Sequence, residues 1–316
     1  MTWSTVVSLL RTTLYGWAVS LWRFLRLLWR LLHRRPKEGH RPPAPTGCIP
    51  VDHPALVRPD PLLYSQRYLR DRGLAVTWDN PDIVLFRGGV PASSSDLDPG
   101  TTYDVRVRIW NNSLEAPAIA MPVHLSFLDF GVGTEPIPIA SATADVGVKG
   151  SADQPGFVSI PWTTPATPGH FCLQVLLDPA DDVDRSNNLG QENTNVVAAQ
   201  SPATFTFTLR NNTRRARTYR FELDGYQLPS LRPCADDRAD PARRLERHRR
   251  AAHPVPDGFD VEITPATPTL DAGDTTTITV SVEPPAGFQG RQAINVNAFH
   301  PQGFAGGVTL TVVKEP

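Results

Sequence analysis

From Asp82 onward the apolar residues recur at every second position, in short runs closed by turn-forming residues. A period of two is the signature of a half-buried strand and is incompatible with a helical body. The runs cover residues 83–86, 103–110, 122–127, 157–162 and 170–177. Gly88-Gly89, Asp98-Pro99-Gly100 and the stretch from Pro165 to Gly169 separate them. Thirty-two prolines and few long periodic apolar stretches reinforce the point. Strands at this spacing with no helices between them predict stacked antiparallel sheets rather than a parallel sheet. With 316 residues, 40% of them hydrophobic, the chain has room for two modest cores.

An internal echo divides the strand-rich region. Val105-Arg106-Val107-Arg108-Ile109-Trp110-Asn111-Asn112-Ser113 recurs as Thr204-Phe205-Thr206-Phe207-Thr208-Leu209-Arg210-Asn211-Asn212-Thr213. In each, an alternating strand ends in Asn-Asn-Ser/Thr, residues that turn a chain and bond their own backbone. Both are also glycosylation sequons, but the strand-end role explains the pair better. Further strands are expected at 219–223, 259–263, 275–282, 293–299 and 308–313. The predicted organisation is one sandwich over residues 60–200 with a short leading helix, and a second over 201–316.

Further residues carry a resemblance: the strand ending Trp110-Asn111-Asn112, Trp162-Thr163-Thr164-Pro165, Pro168-Gly169 before the strand 170–175, Asp178-Pro179, and Asn187-Asn188. On these, residues 82–198 resemble the bacterial cell-adhesion-related immunoglobulin-like domains. That resemblance implies a seven-strand sandwich used for binding or display, with no catalytic residues to carry over. The second copy resembles generic immunoglobulin-like modules of bacterial surface proteins and glycosidases, through residues 270–274, Pro284-Pro285 and Gly290.

Residues 1–35 are unlike the rest. They read as one amphipathic helix carrying Trp3, Trp17, Trp22 and Trp29, edged by Arg11, Arg23, Arg26, Arg30, Arg34 and Arg35. Its apolar sector is wider than one face of a soluble core requires, and Trp and Arg are residues of the lipid–water boundary. The uncharged start and late positive charge do not fit a cleaved leader. A spanning helix needs about 20 apolar residues, and joining the two uncharged windows places Arg11 mid-bilayer at a cost of roughly 2.5–3.5 kcal/mol. An in-plane helix carries no such cost. A helix packed into a partner subunit would use the same face. Positive charge after the helix, through Lys37 and Arg41, favours the cytoplasmic side for the remainder of the chain.

Residues 36–59 form a Pro-rich linker. A short helix should come next, capped by Asp60, with Pro61 in its first turn and Gly73 at its exit, packed on the first domain with Arg67, Arg70 and Arg72 facing solvent. Residues 1–45 hold eight Lys/Arg against one Glu, a charge of +7, so with a total of −1 the rest carries −8. An acidic body is not expected to bind nucleic acid. Three cysteines provide no disulfide framework, and Cys172 sits in a strand pattern as a core residue.

Candidate chemistry is sparse. Asp178, Asp181, Asp182 and Asp184 offer oxygen ligands for calcium within one loop, at a spacing unlike an EF-hand; a solvated acidic loop is the plainer reading. His170 and Cys172 share a strand face without a second pair at zinc spacing. No nucleophile elbow, phosphate loop or dinucleotide fingerprint appears, so neither an enzyme nor a cofactor is expected. Residues 229–258 form a long basic insertion with Arg243, Arg244, Arg247, Arg249 and Arg250, in which Pro241 starts a short helix ending near Pro254. It reads either as a solvated excursion or as a contact for anionic lipid or an acidic partner. The sequence therefore predicts a non-catalytic, membrane-associated accessory or scaffold protein on the cytoplasmic face. Its partners would be membrane lipid or a membrane complex and a protein, with no small-molecule substrate. The rival is an exported adhesin or carbohydrate-binding module.

Overall fold

The computed structural model describes residues 57–196, 204–228, 248–249 and 253–314. The expected N-terminal helix 1–35, nearly all of the Pro-rich linker and most of the basic insertion lie outside these residues. No helix among the described residues is long and apolar enough to cross a membrane.

The chain is mainly β. It begins with β1 (Pro61–Leu62) and α1 (Gln66–Asp71). There follow β2 (Ile83–Arg87), β3 (Val90–Ala92), β4 (Thr102–Asn111), β5 (Ala118–Asp129) and β6 (Gly131–Val132). Next come β7 (Ile137–Val146), β8 (Gly156–Thr163), β9 (Gly169–Leu177) and β10 (Leu189–Val196). The second half contains β11 (Thr204–Arg210), β12 (Arg217–Thr218), β13 (Arg220–Asp224), β14 (Asp260–Thr264) and β15 (Thr269–Leu270). It ends with β16 (Thr275–Glu283), β17 (Gly290–His300) and β18 (Gly303–Lys314).

In the first half, β4 pairs with β1, β2 and β8 in one sheet, and the second sheet runs β10-β9-β5-β7, all antiparallel. Alternation turns Val105, Val107 and Ile109 of β4 inward to meet Val123 and Leu125 of β5, with Trp162, Leu173 and Val175 filling the same core. Each such aliphatic side chain, fully buried, contributes about 1.5–3 kcal/mol. The second half repeats the plan with sheets β14-β16-β11-β6 and β13-β17-β18. Phe207 and Leu209 of β11, Ile278 and Val280 of β16, Ile294 and Val296 of β17, and Leu310 of β18 form its core.

The second core is not built from the second half alone. The two-residue strand β6, in the turn between β5 and β7, pairs in parallel with β11, setting Gly131 beside Thr208 and Val132 beside Leu209. Thr208 N donates to Phe130 O at 3.0 Å, and Phe130 and Val132 are buried in the second core. A Cβ at Gly131 would overlap the Thr208 carbonyl oxygen, so only glycine permits this approach.

Several expectations are corrected. Asp60 and Pro61 do not open a helix: Pro61–Leu62 pair with β4, and α1 begins at Gln66. Backbone pairing claims this segment first, because Asn112 N donates to Asp60 O, Tyr64 N donates to Asp82 Oδ2, and the Asp60 carboxylate accepts from Asn187 Nδ2. Gly73, with φ of +75°, does close the turn after the helix. Arg70 does not face solvent but is buried against the second half. At residues 248–249 the insertion is not helical; Arg249 forms an isolated antiparallel bridge to Leu74. The alternation also missed β7, which is built largely from small residues, and β10, whose Glu192, Asn193 and Thr194 are polar yet buried.

Candidate functional site

Residues 74–81, between α1 and β2, form a strap that bonds to both sandwiches. Trp78 N donates to Thr309 Oγ1 of β18 at 2.8 Å, while Trp78 O accepts from Asn193 N of β10 at 2.8 Å. One residue therefore hydrogen-bonds to both halves. The indole of Trp78 is buried with Phe299 and Phe304, its ring centroid 6.2 Å from that of Phe304. Gln66 of α1 fastens the helix to β10 within the first half: its Nε2 donates to Gln191 O at 2.6 Å, and its Oε1 accepts from Gln191 N at 3.2 Å.

The outward residues of β17 show why the seam is polar. A strand covered on one face would place charges outward, whereas β17 places Asn295 and Asn297 there, both fully buried. Asp224 of β13 serves them: it accepts from Asn295 Nδ2 at 2.6 Å, Asn297 Nδ2 at 3.1 Å and Tyr226 N at 3.1 Å. Arg70 of α1 completes the hub, 3.5 Å from Asp224 and 3.3 Å from Glu222, its guanidinium carbon 5.3 Å from the centroid of the Phe299 ring. Burial pushes the Asp224 carboxyl up and the Arg70 guanidinium down, each partly offset by the other. Glu192 is a second buried acid. Its carboxylate accepts from Asn80 N, and burial together with the neighbouring Asp79 raises its pKa well above the ordinary glutamate range.

Among the cavities lined by strap residues are two of about 110 and 160 Å³. Asp79, Ser95 and His170 all line the smaller one, but no hydrogen bond joins them into a nucleophile and base. Ser95 Oγ bonds Ser93 Oγ at 2.8 Å, and the His170 ring lies 5.1 Å from that of Phe130.

The outer face of the first sheet has a different composition. Phe157 is 58% exposed and Trp110 38% exposed. Register sets Phe157 opposite Arg108, with Trp110 two residues further along β4. The Arg108 guanidinium carbon lies 5.6 Å from the Trp110 ring, and that of Arg106 4.0 Å from Phe86. Arg108 is fixed by Asp82, which accepts from its Nε at 2.7 Å and from Trp110 Nε1 at 3.4 Å. Trp110 and Phe86 each stack against an arginine, and Trp110 and Phe157 leave aromatic surface exposed on this face.

The residues singled out from sequence fare unequally. Asp178, Asp181, Asp182 and Asp184 go to separate partners: Asp178 faces Arg185, Asp181 pairs with Arg58, Asp182 accepts from Asn188 Nδ2, and Asp184 accepts from Ser186 N. No group of three acidic, His or Cys side chains suited to a metal occurs among the described residues. Cys172 is buried, and burial pushes its thiol up. Asn111 and Asn211 are buried strand closers, inaccessible for glycosylation in the folded chain. Trp3, Arg11, Trp17, Trp22, Arg23, Arg26, Trp29, Arg30, Arg34 and Arg35 lie outside the described residues, as do Arg243, Arg244, Arg247 and Arg250. Sequence reasoning missed Asp82, Glu192 and Asp224, isolated acids whose partners are remote in the chain.

No protein-family model matches the sequence, and no curated protein does. Among solved structures, a chitin-binding domain from Burkholderia pseudomallei aligns at 15% identity over 33% of this chain and 57% of its own, with a TM-score of 0.23. A mutant alpha-2-macroglobulin from Salmonella aligns at 13% identity over 73% of this chain and 16% of its own, with a TM-score of 0.24. The native alpha-2-macroglobulin of Escherichia coli gives 12%, 74%, 17% and 0.22. The chain spans less than two thirds of each. Similarity at this level decides neither fold nor activity.

Proposed function

We propose that this chain is a non-catalytic, membrane-associated accessory or scaffold protein whose joined immunoglobulin-like sandwiches bind a protein partner. Residues 1–35 hold it at a lipid boundary, with the body on the cytoplasmic side. The first sandwich is the binding module, in keeping with its resemblance to cell-adhesion-related domains. One observation carries this reading: Trp110 and Phe157 stand exposed on one sheet face, with Arg108 stacked on Trp110. The polar groups of the seam support it, because Arg70 and Asp224 are occupied in joining the halves.

Two measurements test the proposal. Deleting residues 2–35 should move the chain from the membrane pellet to the supernatant; continued pelleting like that of the intact chain would refute the tether. The double variant Trp110→Ser/Phe157→Ser should still unfold in one cooperative transition, at a midpoint below the parent's because Trp110 is partly buried. It should lose the proteins that co-purify with the parent after detergent extraction. An unchanged set of co-purifying proteins would rule out this face as the interface.

A further inference from the structure

The internal echo gives two copies of one loop scaffold with different contents. In the first, Asn111 Nδ2 donates to Ala116 O at 2.9 Å and its Oδ1 accepts from Ser113 N at 3.0 Å. In the second, Asn211 Nδ2 donates to Arg215 O at 2.8 Å and its Oδ1 accepts from Thr213 N at 3.0 Å. After the shared Asn-Asn-Ser/Thr, the first copy continues Leu114-Glu115-Ala116-Pro117 and the second Arg214-Arg215-Ala216-Arg217. The backbone beneath Arg214 and Arg215 is thus fixed from within, by Asn211 and by Thr213 Oγ1 donating to Arg215 O at 2.9 Å, while both side chains extend into solvent.

Other elements bring arginines to the same place. Arg67 of α1 and Asn212 of this loop line one cavity. Arg217 and Arg67 both act on His300, lowering its pKa further than burial alone. Arg220 stacks over Phe299, its guanidinium carbon 4.6 Å from the ring centroid. Arg210 pairs with Glu135 and Arg220 with Glu222, but no carboxylate lies within ion-pair distance of Arg67, Arg214, Arg215 or Arg217 among the described residues. Residues 210–220 hold five arginines and no acid, in a body that is otherwise acidic.

We propose that Arg214, Arg215 and Arg217, with Arg67, form a docking surface for the phosphate groups of anionic phospholipids. Each of the five basic residues in 210–220 is arginine and none is lysine, which suits bidentate contact with phosphate oxygens. Lipid is the occupant because the same chain carries a second basic segment, rich in tryptophan, in residues 1–35. Two individually weak contacts on one surface combine through their effective concentration. The inference rests on the membrane role proposed for this chain.

The test is flotation of the full chain with vesicles of phosphatidylcholine alone, or of phosphatidylcholine doped with phosphatidylglycerol. The parent should bind the doped vesicles more tightly, and less so as salt is raised. Arg214→Gln/Arg215→Gln should weaken binding to doped vesicles by roughly thirty-fold, at about 1 kcal/mol per charge, and leave binding to neutral vesicles unchanged. Urea unfolding at the parent's midpoint would show the variant folded. If the parent binds and the variant binds equally well, the docking surface is overturned while the tether stands. If the parent floats with neither vesicle, the membrane reading fails and takes this proposal with it. If the arginine pair proves necessary only for retaining an acidic protein, lipid is the wrong occupant.

Discussion

Two asparagine side chains close corresponding strands, and both do so with every polar atom engaged. Asn211 Nδ2 meets the carbonyls of Arg215, Leu270 and Asp271, and its Oδ1 accepts from Thr213 N and Tyr219 OH. Asn211→Ala would strand these groups in a buried setting, where each unmade bond costs about 1–3 kcal/mol. A loss of about 3 kcal/mol in unfolding free energy is expected from urea titration. Glu192 gives a pH signature. It faces Asp79, which raises its pKa, and Asn80 N, Ser94 and Arg291, which lower it; burial outweighs all of them. A raised folded pKa means the folded chain holds the proton more tightly than the unfolded chain. The stabilisation is complete below the usual glutamate range and is lost as pH rises through the folded value. Glu192→Gln should therefore flatten the fall in stability from acid to alkaline pH, as measured by urea midpoints at several pH values. Parallel profiles for parent and variant would contradict this origin.

At the scale of elements, α1 matters more than its length suggests. Arg70→Ala would leave Asp224 buried without its cation, and removing one member of such a pair costs about 3–5 kcal/mol. Limited proteolysis should then open the strap at residues 74–81 before either sandwich, and cleavage inside a sandwich first would show that α1 is not the clamp. The strands with one dry face, β4, β9 and β16, were legible because alternation reports the boundary between core and water. β10 and the partners of Arg70 were not legible, since a strand buried on both faces loses alternation and its polar residues resemble a loop. Asp60 misled for a related reason. A helix cap and a carboxylate reserved for Asn187, which lies far along the chain, look the same in one dimension. The Trp110–Phe157 face could have been found, since Trp110 and Phe157 occupy the outward positions of strands correctly read.

At the largest scale among the described residues, the second core borrows from the first half. Gly131→Ala would force β6 away from β11 and separate the two unfolding transitions, which in the parent should coincide when followed by near-ultraviolet dichroism and fluorescence. Non-coincident transitions in the parent itself would refute that coupling. A tandem repeat is ordinarily a cassette that can be cut out, copied or shuffled between genes. Lending Phe130 and Val132 to its neighbour withdraws that freedom: a fragment of residues 201–316 would carry the open flank of β11 into solution and should precipitate unless a peptide spanning residues 128–134 is supplied in trans.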